Sequence, residues 1–208
     1  MKKLVLIGGG GHCKSVLDAA LRTKEYDEIV ITDAELPIGT KILGCKVVGD
    51  DSILSQLYQN NFRYAFITVG SVKSDNVREK IMNKIALLGF RFPVIIDETA
   101  VVSKFAVIGD GTFIGKNAIV NADANIGAQA IVNTGAIIEH DCKIENFCHV
   151  SVGATLCGNV SVGKYSFIGA GSTIIQGIHI GENVTIGSGS TVIKSVENGR
   201  TSYGLIKD

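Results

Sequence analysis

The 208-residue chain carries no excess charge of either sign: 20 lysines and arginines balance 20 acidic residues, and the basic ones form no block. Without a basic patch, neither a nucleic-acid partner nor an anionic membrane surface is expected. Long apolar runs are also missing at the amino terminus. Only Leu4-Val5-Leu6-Ile7 precede Gly8, too few for a signal-peptide core or a membrane span, so the expected location is cytoplasmic. The five cysteines form no C-x-x-C pair. That leaves no recognisable zinc site, and no metal is expected; the odd count and irregular spacing suit a reducing compartment.

What the sequence has in abundance is a period of six. From Val102 to Val192 every sixth residue is a branched aliphatic, with no break in register. Four residues later in each hexad the side chain is nearly always small, as at Ala118, Ala136, Cys142, Cys148, Ser166 and Ser172. Neither a helix nor a plain strand repeats in six, whereas stacked hexapeptides form a parallel β-helix. Three hexads per coil make residues eighteen apart stack. Val102, Val120, Ile138, Leu156, Ile174 and Val192 then line one wall of an aliphatic interior. Gly, Asn and Asp crowd the intervening positions, as chain-reversing turns require. Cys142 and Cys148 fall in the small inward slot and read as core fillers.

The first hundred residues follow a different pattern. Residues 3–7 form an apolar run, then come Gly8-Gly9-Gly10-Gly11, then His12 to Leu21 with apolar residues at helical spacing. Strand, glycine turn and helix in that order point free backbone N–H groups at a phosphate. A strand over 28–32 ends in Asp33, whose carboxylate can accept hydrogen bonds from a ribose or a base edge. Cys13 stands where a dinucleotide fingerprint has its third glycine, which argues against NAD or FAD. A helix is predicted over about 51–60, a strand over 64–69 ending at Gly70-Ser71, a helix over about 74–88, and a strand over 92–96 leading into the coil. This order predicts a small Rossmann-like parallel sheet, with Gly8 to Lys14, Asp33 and Gly70 at its carboxyl edge. The expected domains are 1–97, 98–197 and a tail over 198–208 that caps or lies along the coil end.

Any reactive group on the closed coil must face outward. His140, followed by Asp141, should project near a corner, and an imidazole with a carboxylate partner can serve as a base near neutral pH. A surface histidine beside acids is as often ornament as catalyst, and the residues alone leave both open. His179 has no acidic neighbour and reads as structural or solvated.

The glycine turn Gly8 to His12, Asp33, Gly70 and the coil segments 133–142 (Asn-Thr-Gly-Ala-Ile-Ile-Glu-His-Asp-Cys) and 149–154 (His-Val-Ser-Val-Gly-Ala) together resemble the NeuD/PglD-type sugar acetyltransferases, a group of left-handed β-helix acyltransferases. The resemblance covers almost the whole chain. It implies a left-handed coil, a homotrimer with active sites between subunits, acetyl-CoA in the groove between neighbouring coils, and a nucleotide-linked amino sugar held by the α/β domain. By position, His140 matches the general base and Asp141 its orienting acid. His149 and Asn133 match groups near the acetyl thioester and the acceptor, and the Gly158 N–H matches a donor to the acetyl carbonyl. His12 and Asp33, with Gly8, Gly10, Gly11 and Gly70 around them, match the nucleotide-sugar site. Asp141 stands where family members often carry Glu, and their Gly-x-Pro-Ala-Lys close reads here Gly204-Leu205-Ile206-Lys207. The expected activity is acetyl-CoA-dependent N-acetylation of a nucleotide-linked amino sugar, of the 4-amino-4,6-dideoxy type. Sialic-acid-type O-acetylation and a non-catalytic trimeric nucleotide-sugar-binding protein are the alternatives.

Overall fold

A computed structural model describes residues 1–70 and 76–207, which fall into two compact units, 1–70 with 76–95 and 96–207. Ser71 and the predicted helix start at Ser74 lie outside the described residues.

The first unit is a five-stranded sheet. Its elements are β1 (Lys3–Ile7), α1 (Gly11–Thr23), β2 (Glu28–Thr32), β3 (Lys41–Ile42), β4 (Cys45–Gly49), a 3₁₀ turn (Asp51–Ile53), α2 (Leu54–Gln59), β5 (Tyr64–Ile67) and α3 (Val77–Ala86). The order is β3-β4-β2-β1-β5, parallel except for the β3–β4 hairpin. Leu4, Val5, Leu6 and Ile7 are all buried, as a central parallel strand covered on both faces requires. Val5 and Ile7 join Val30, Leu54, Ile67, Ile85 and Phe90 in one core cluster. The strand expected over 92–96 does not join this sheet. Arg91 makes a single parallel bridge to Tyr64, and Ile95–Ile96 forms the first strand of a coil sheet instead. Pro93, which has no N–H to give a ladder, stands between the two.

The second unit is a three-walled parallel coil. Wall 1 stacks the strands at 101–102, 119–120, 137–138, 155–156, 173–174, 191–192 and 205–206. Wall 2 stacks those at 107–108, 125–126, 143–144, 161–162 and 179–180. Wall 3 stacks those at 95–96, 113–114, 131–132, 149–150, 167–168, 185–186 and 201–202. The registers are those of the eighteen-residue stack, for example Val120 with Ile138 and Ile138 with Leu156. Each coil contributes three aliphatics to a dry interior, such as Ile138, Ile144 and Val150, at most 2% exposed; each stabilises the coil by roughly 1.5–3 kcal/mol.

Two local devices turn the corners. Residues 111, 117, 123, 129 and so on to 189 all take a left-handed φ between 54° and 70°. Gly, Asn and Asp occupy most of these positions because they tolerate it. The small slot supplies the second device, because its polar members before Ser190 reach the backbone carbonyl fifteen residues on. Thr112 donates to Gly127 O, Cys142 to Cys157 O, Cys148 to Gly163 O, Ser166 to Gly181 O and Ser172 to Gly187 O. The segment 198–208 loses the hexad but adds two more strands, Thr201–Ser202 paired with Thr185–Ile186 and Leu205–Ile206 with Thr191–Val192.

Candidate active site

The glycine turn of the first unit is built by close approach. Gly8 has φ +104°, and a Cβ there would meet Val69 at 3.0–3.2 Å, while one on Gly9 would sit 2.5 Å from Leu36 Cδ1. Gly8 therefore needs glycine for its backbone conformation, while a side chain on Gly9 would have to displace the end of Leu36. Thr68, buried, donates from its hydroxyl to Ile7 O and Gly8 O and locks the turn between β1 and β5. Gly10 and Gly11 differ, since a Cβ on either would meet nothing within 4 Å. Gly10 is the N-cap of α1 with no side-chain cap, so the helix start is open on the Gly10 and Gly11 side, where an anion could approach. His12 lies beside Gly70, whose added Cβ would fall 3.9 Å from His12 Cβ.

Asp33 closes the same edge. Its Oδ2 accepts from Gly9 N–H at 2.6 Å, and its Oδ1 accepts from Glu35 and Leu36 N–H at 2.9 Å. Partial desolvation would raise its carboxyl, but the three N–H donors outweigh this and hold it below the ordinary aspartate value. Asp33 thus organises the loop. Gly8, Gly10, Gly11, His12, Asp33 and Gly70 are brought together at the carboxyl edge of the sheet.

On the coil, His140 and Asp141 occupy the corner between walls 1 and 2. Asp141 sits at a left-handed turn position, φ +61°, which folds its carboxylate back to meet His140 Nδ1 at 2.7 Å. The shorter acid therefore reaches the imidazole. Its hydrogen bond and charge raise the His140 pKa above 6.5, and Asp141 as acceptor fixes the proton on Nδ1, leaving Nε2 as the basic atom. Gly158, one coil on, lies directly against the ring: a Cβ there would sit 2.6 Å from His140 Cε1 and 2.7 Å from Nε2. Asn159 N–H donates to His140 O at 2.9 Å and fixes the register. At several corners the equivalent N–H is capped by a side chain, as Ala122 by Asn121, Ala128 by Asn146 and Lys164 by Glu145. Gly158 N–H has no acceptor among the described residues. A basic nitrogen and an open backbone donor thus share one spot.

His149 and Asn133 form a separate group. Asn133 Nδ2 lies 3.3 Å from His149 Nε2, and the imidazole meets Phe167 edge to face at 5.1 Å. His149 stands on wall 3 and Asn133 at the corner leading to wall 1, whereas His140 is at the far corner of wall 1. One chain does not bring the two groups together. The sequence reading also missed the Asn121–Glu139 bond, 2.9 Å, and Thr68; the first pair was readable as an eighteen-residue stack beside the base, while a threonine ending a strand gives no signal. Among the described residues, no group of three or more His, Cys, Asp and Glu is placed to hold a metal ion, and no helix is long and apolar enough to cross a membrane.

Outward imidazole, backing carboxylate and open backbone donor on a hexapeptide coil define an acyltransferase class of fold and site. Residues 3–85 match the family described as PglD N-terminal domain, and residues 141–176 and 159–194 match the bacterial transferase hexapeptide (six repeats). The acetyltransferase domain of PglB from Neisseria gonorrhoeae is 34% identical, with 98% of this chain and 97% of that one covered and a TM-score of 0.92. PerB from Caulobacter crescentus, solved with CoA and GDP-perosamine, is 34% identical over 100% and 98% of the two chains, with a TM-score of 0.90. WeeI from Acinetobacter baumannii shares the fold at 22% identity over 98% and 97% of the two chains, TM-score 0.84. No curated protein sequence matches. The chain belongs to the PglD-type sugar acetyltransferases of the hexapeptide-repeat superfamily.

Proposed function

We propose that this protein transfers the acetyl group of acetyl-CoA to the amine of a nucleotide-linked amino sugar, with His140 as general base. The carrying observation is the convergence of His140 Nε2, backed by Asp141 at 2.7 Å, with the uncapped Gly158 N–H. Relatives at 34–36% identity support the substrates: one is held with CoA and GDP-perosamine and another with acetyl-CoA. The amine attacks the thioester carbonyl carbon and gives its proton to Nε2. Asp141 stabilises the imidazolium, and Gly158 N–H donates to the developing oxyanion. Collapse breaks the C–S bond, and the CoA thiolate takes the proton from His140. A positioned base contributes typically 10²–10⁴-fold, and one oxyanion donor about 3–4 kcal/mol.

The uncapped start of α1, with Gly10 and Gly11 leaving its face open, is suited to the diphosphate of the acceptor. His12 and Asp33 flank it. The acceptor is a 4-amino-4,6-dideoxy sugar, in line with the GDP-perosamine held by a relative at 34% identity.

The active form is a homotrimer. The outer face of wall 1 carries the aliphatics Val101 and Ile119, 65% and 36% exposed, and it lies between the Asn133 corner and the His140 corner. Closing that face around a threefold axis sets His140 of one copy beside Asn133 and His149 of the next. Acetyl-CoA and nucleotide sugars place the reaction in the cytoplasm, where the five free cysteines stay reduced.

The test is a screen of purified protein with acetyl-CoA against UDP-, dTDP- and GDP-linked amino sugars and against free sialic acid. Turnover of an amino sugar, lost at least a hundredfold in His140→Ala with CoA binding retained, is expected. Turnover of sialic acid alone, or thermal stabilisation by nucleotide sugar with none by acetyl-CoA, would replace this reading.

A further inference from the structure

The active-site peptide between Cys157 and Gly158 is gripped from inside the coil. Cys142 is fully buried, and its Sγ donates to Cys157 O at 3.2 Å. Burial pushes the Cys142 thiol above its ordinary value, so it keeps the proton it donates. A trans peptide holds its C=O and N–H in one plane, pointing in opposite directions. With the carbonyl pulled inward to the thiol, the N–H of the same peptide, that of Gly158, is turned outward, to the side where the His140 ring lies.

We infer that Cys142 is a positioning residue for acetyl transfer: its thiol orients the 157–158 peptide so that Gly158 N–H meets the thioester carbonyl. This rests on the reading of Gly158 as oxyanion donor. Coils whose slot holds alanine, as at Ala124, Ala136 and Ala154, stack with the same register and burial, so the contact is not required for folding. Coils whose slot holds Ser166 or Ser172 make the same bond with a hydroxyl, at 2.7 and 2.9 Å. The thiol therefore has both a silent replacement and a functional one. Cys142 also lies two residues from His140, so a single turn of chain fixes base and donor relative to each other.

The experiment compares Cys142→Ala and Cys142→Ser. Removing an oxyanion donor outright costs 10²–10³ in kcat, and loosening one is expected to cost about tenfold. Cys142→Ala should lose about that factor in kcat with KM for both substrates unchanged, and Cys142→Ser should recover it to within about twofold. The second readout is the infrared stretch of carbonyl-labelled acetyl-CoA bound to the His140→Ala protein, which needs no acceptor. The bound carbonyl should shift to lower frequency, less so when Cys142→Ala is added and fully when Cys142→Ser is. No shift in the parent would overturn Gly158 as donor and the proposal with it. A parent shift that Cys142→Ala leaves intact, or equal kcat losses in the Ala and Ser variants, overturns the role of Cys142 alone.

Discussion

Gly158→Ala puts one methyl group into the space of the base. The new Cβ would stand 2.6 Å from His140 Cε1 and 2.7 Å from Nε2, whereas carbon atoms rest at about 3.5–4.0 Å. The imidazole must retreat by about 0.9 Å. It can do so, because both His140 and Asp141 are exposed at the corner and Gly158 is not at a left-handed φ. The fold should therefore survive, with the melting temperature within about 2 °C of the parent's, since surface substitutions generally fall within ±0.5 kcal/mol. A misplacement of about 1 Å costs on the order of 10²-fold in rate. Steady-state acetyl transfer followed by mass spectrometry of the product should show kcat down about a hundredfold, with CoA affinity by calorimetry changed less than about threefold. A variant with near-normal kcat would show that the catalytic nitrogen does not work where His140 lies against Gly158.

Four further outcomes are expected. Asp141→Asn removes the partner that raises the His140 pKa, so the acid limb of kcat/KM should move to lower pH while the plateau falls; an unmoved limb would separate Asp141 from the base. The same pairing favours the imidazolium in the folded chain, so its stabilisation is present below pH 6.5 and fades as pH rises through the raised value. Asp33→Ala strips the acceptor from three backbone N–H groups and should cost about 2 kcal/mol by denaturant unfolding after allowance for solvent screening; because the folded-state carboxyl titrates below 3.8, that stabilisation in the parent is lost as pH falls through the lowered value. Gly10→Ala meets no protein atom, so it should leave stability unchanged yet raise KM for the nucleotide sugar about tenfold, and an unaltered KM would remove the helix terminus from the phosphate site. Ile144→Ala empties an interior position that is 2% exposed and should cost about 2–5 kcal/mol, measured by urea unfolding; less than about 1 kcal/mol would mean the coil relaxes around it.

The coil was legible almost completely because its period is a direct record of stacking: each inward aliphatic from Val102 to Ile174 meets the residue eighteen on. The end was not. After Glu197 the hexad stops, yet Thr201–Ser202 and Leu205–Ile206 still pair, because strand addition needs only backbone. The strand expected over 92–96 failed for the complementary reason, since an apolar run records burial and not which sheet supplies it. At the site, the outward placement of His140 and Asp141 follows from the repeat and Gly158 enters only through the family resemblance, but how the acid reaches the base depends on a left-handed φ at Asp141 that sequence alone does not display. Asp33 was legible as a carboxylate at the sheet edge; its three backbone bonds depend on how the 34–36 loop returns.

The fifteen-residue bonds from the small slot tie each coil only to the next. Such a stack behaves like a zipper, in which opening starts at an end and proceeds rung by rung. His140 and Gly158 sit on adjoining rungs near the middle of wall 1, with two strands before 137–138 and three after 155–156. Thermal fraying therefore reaches them last, and the reaction centre is kept in register by rungs that take no part in the chemistry.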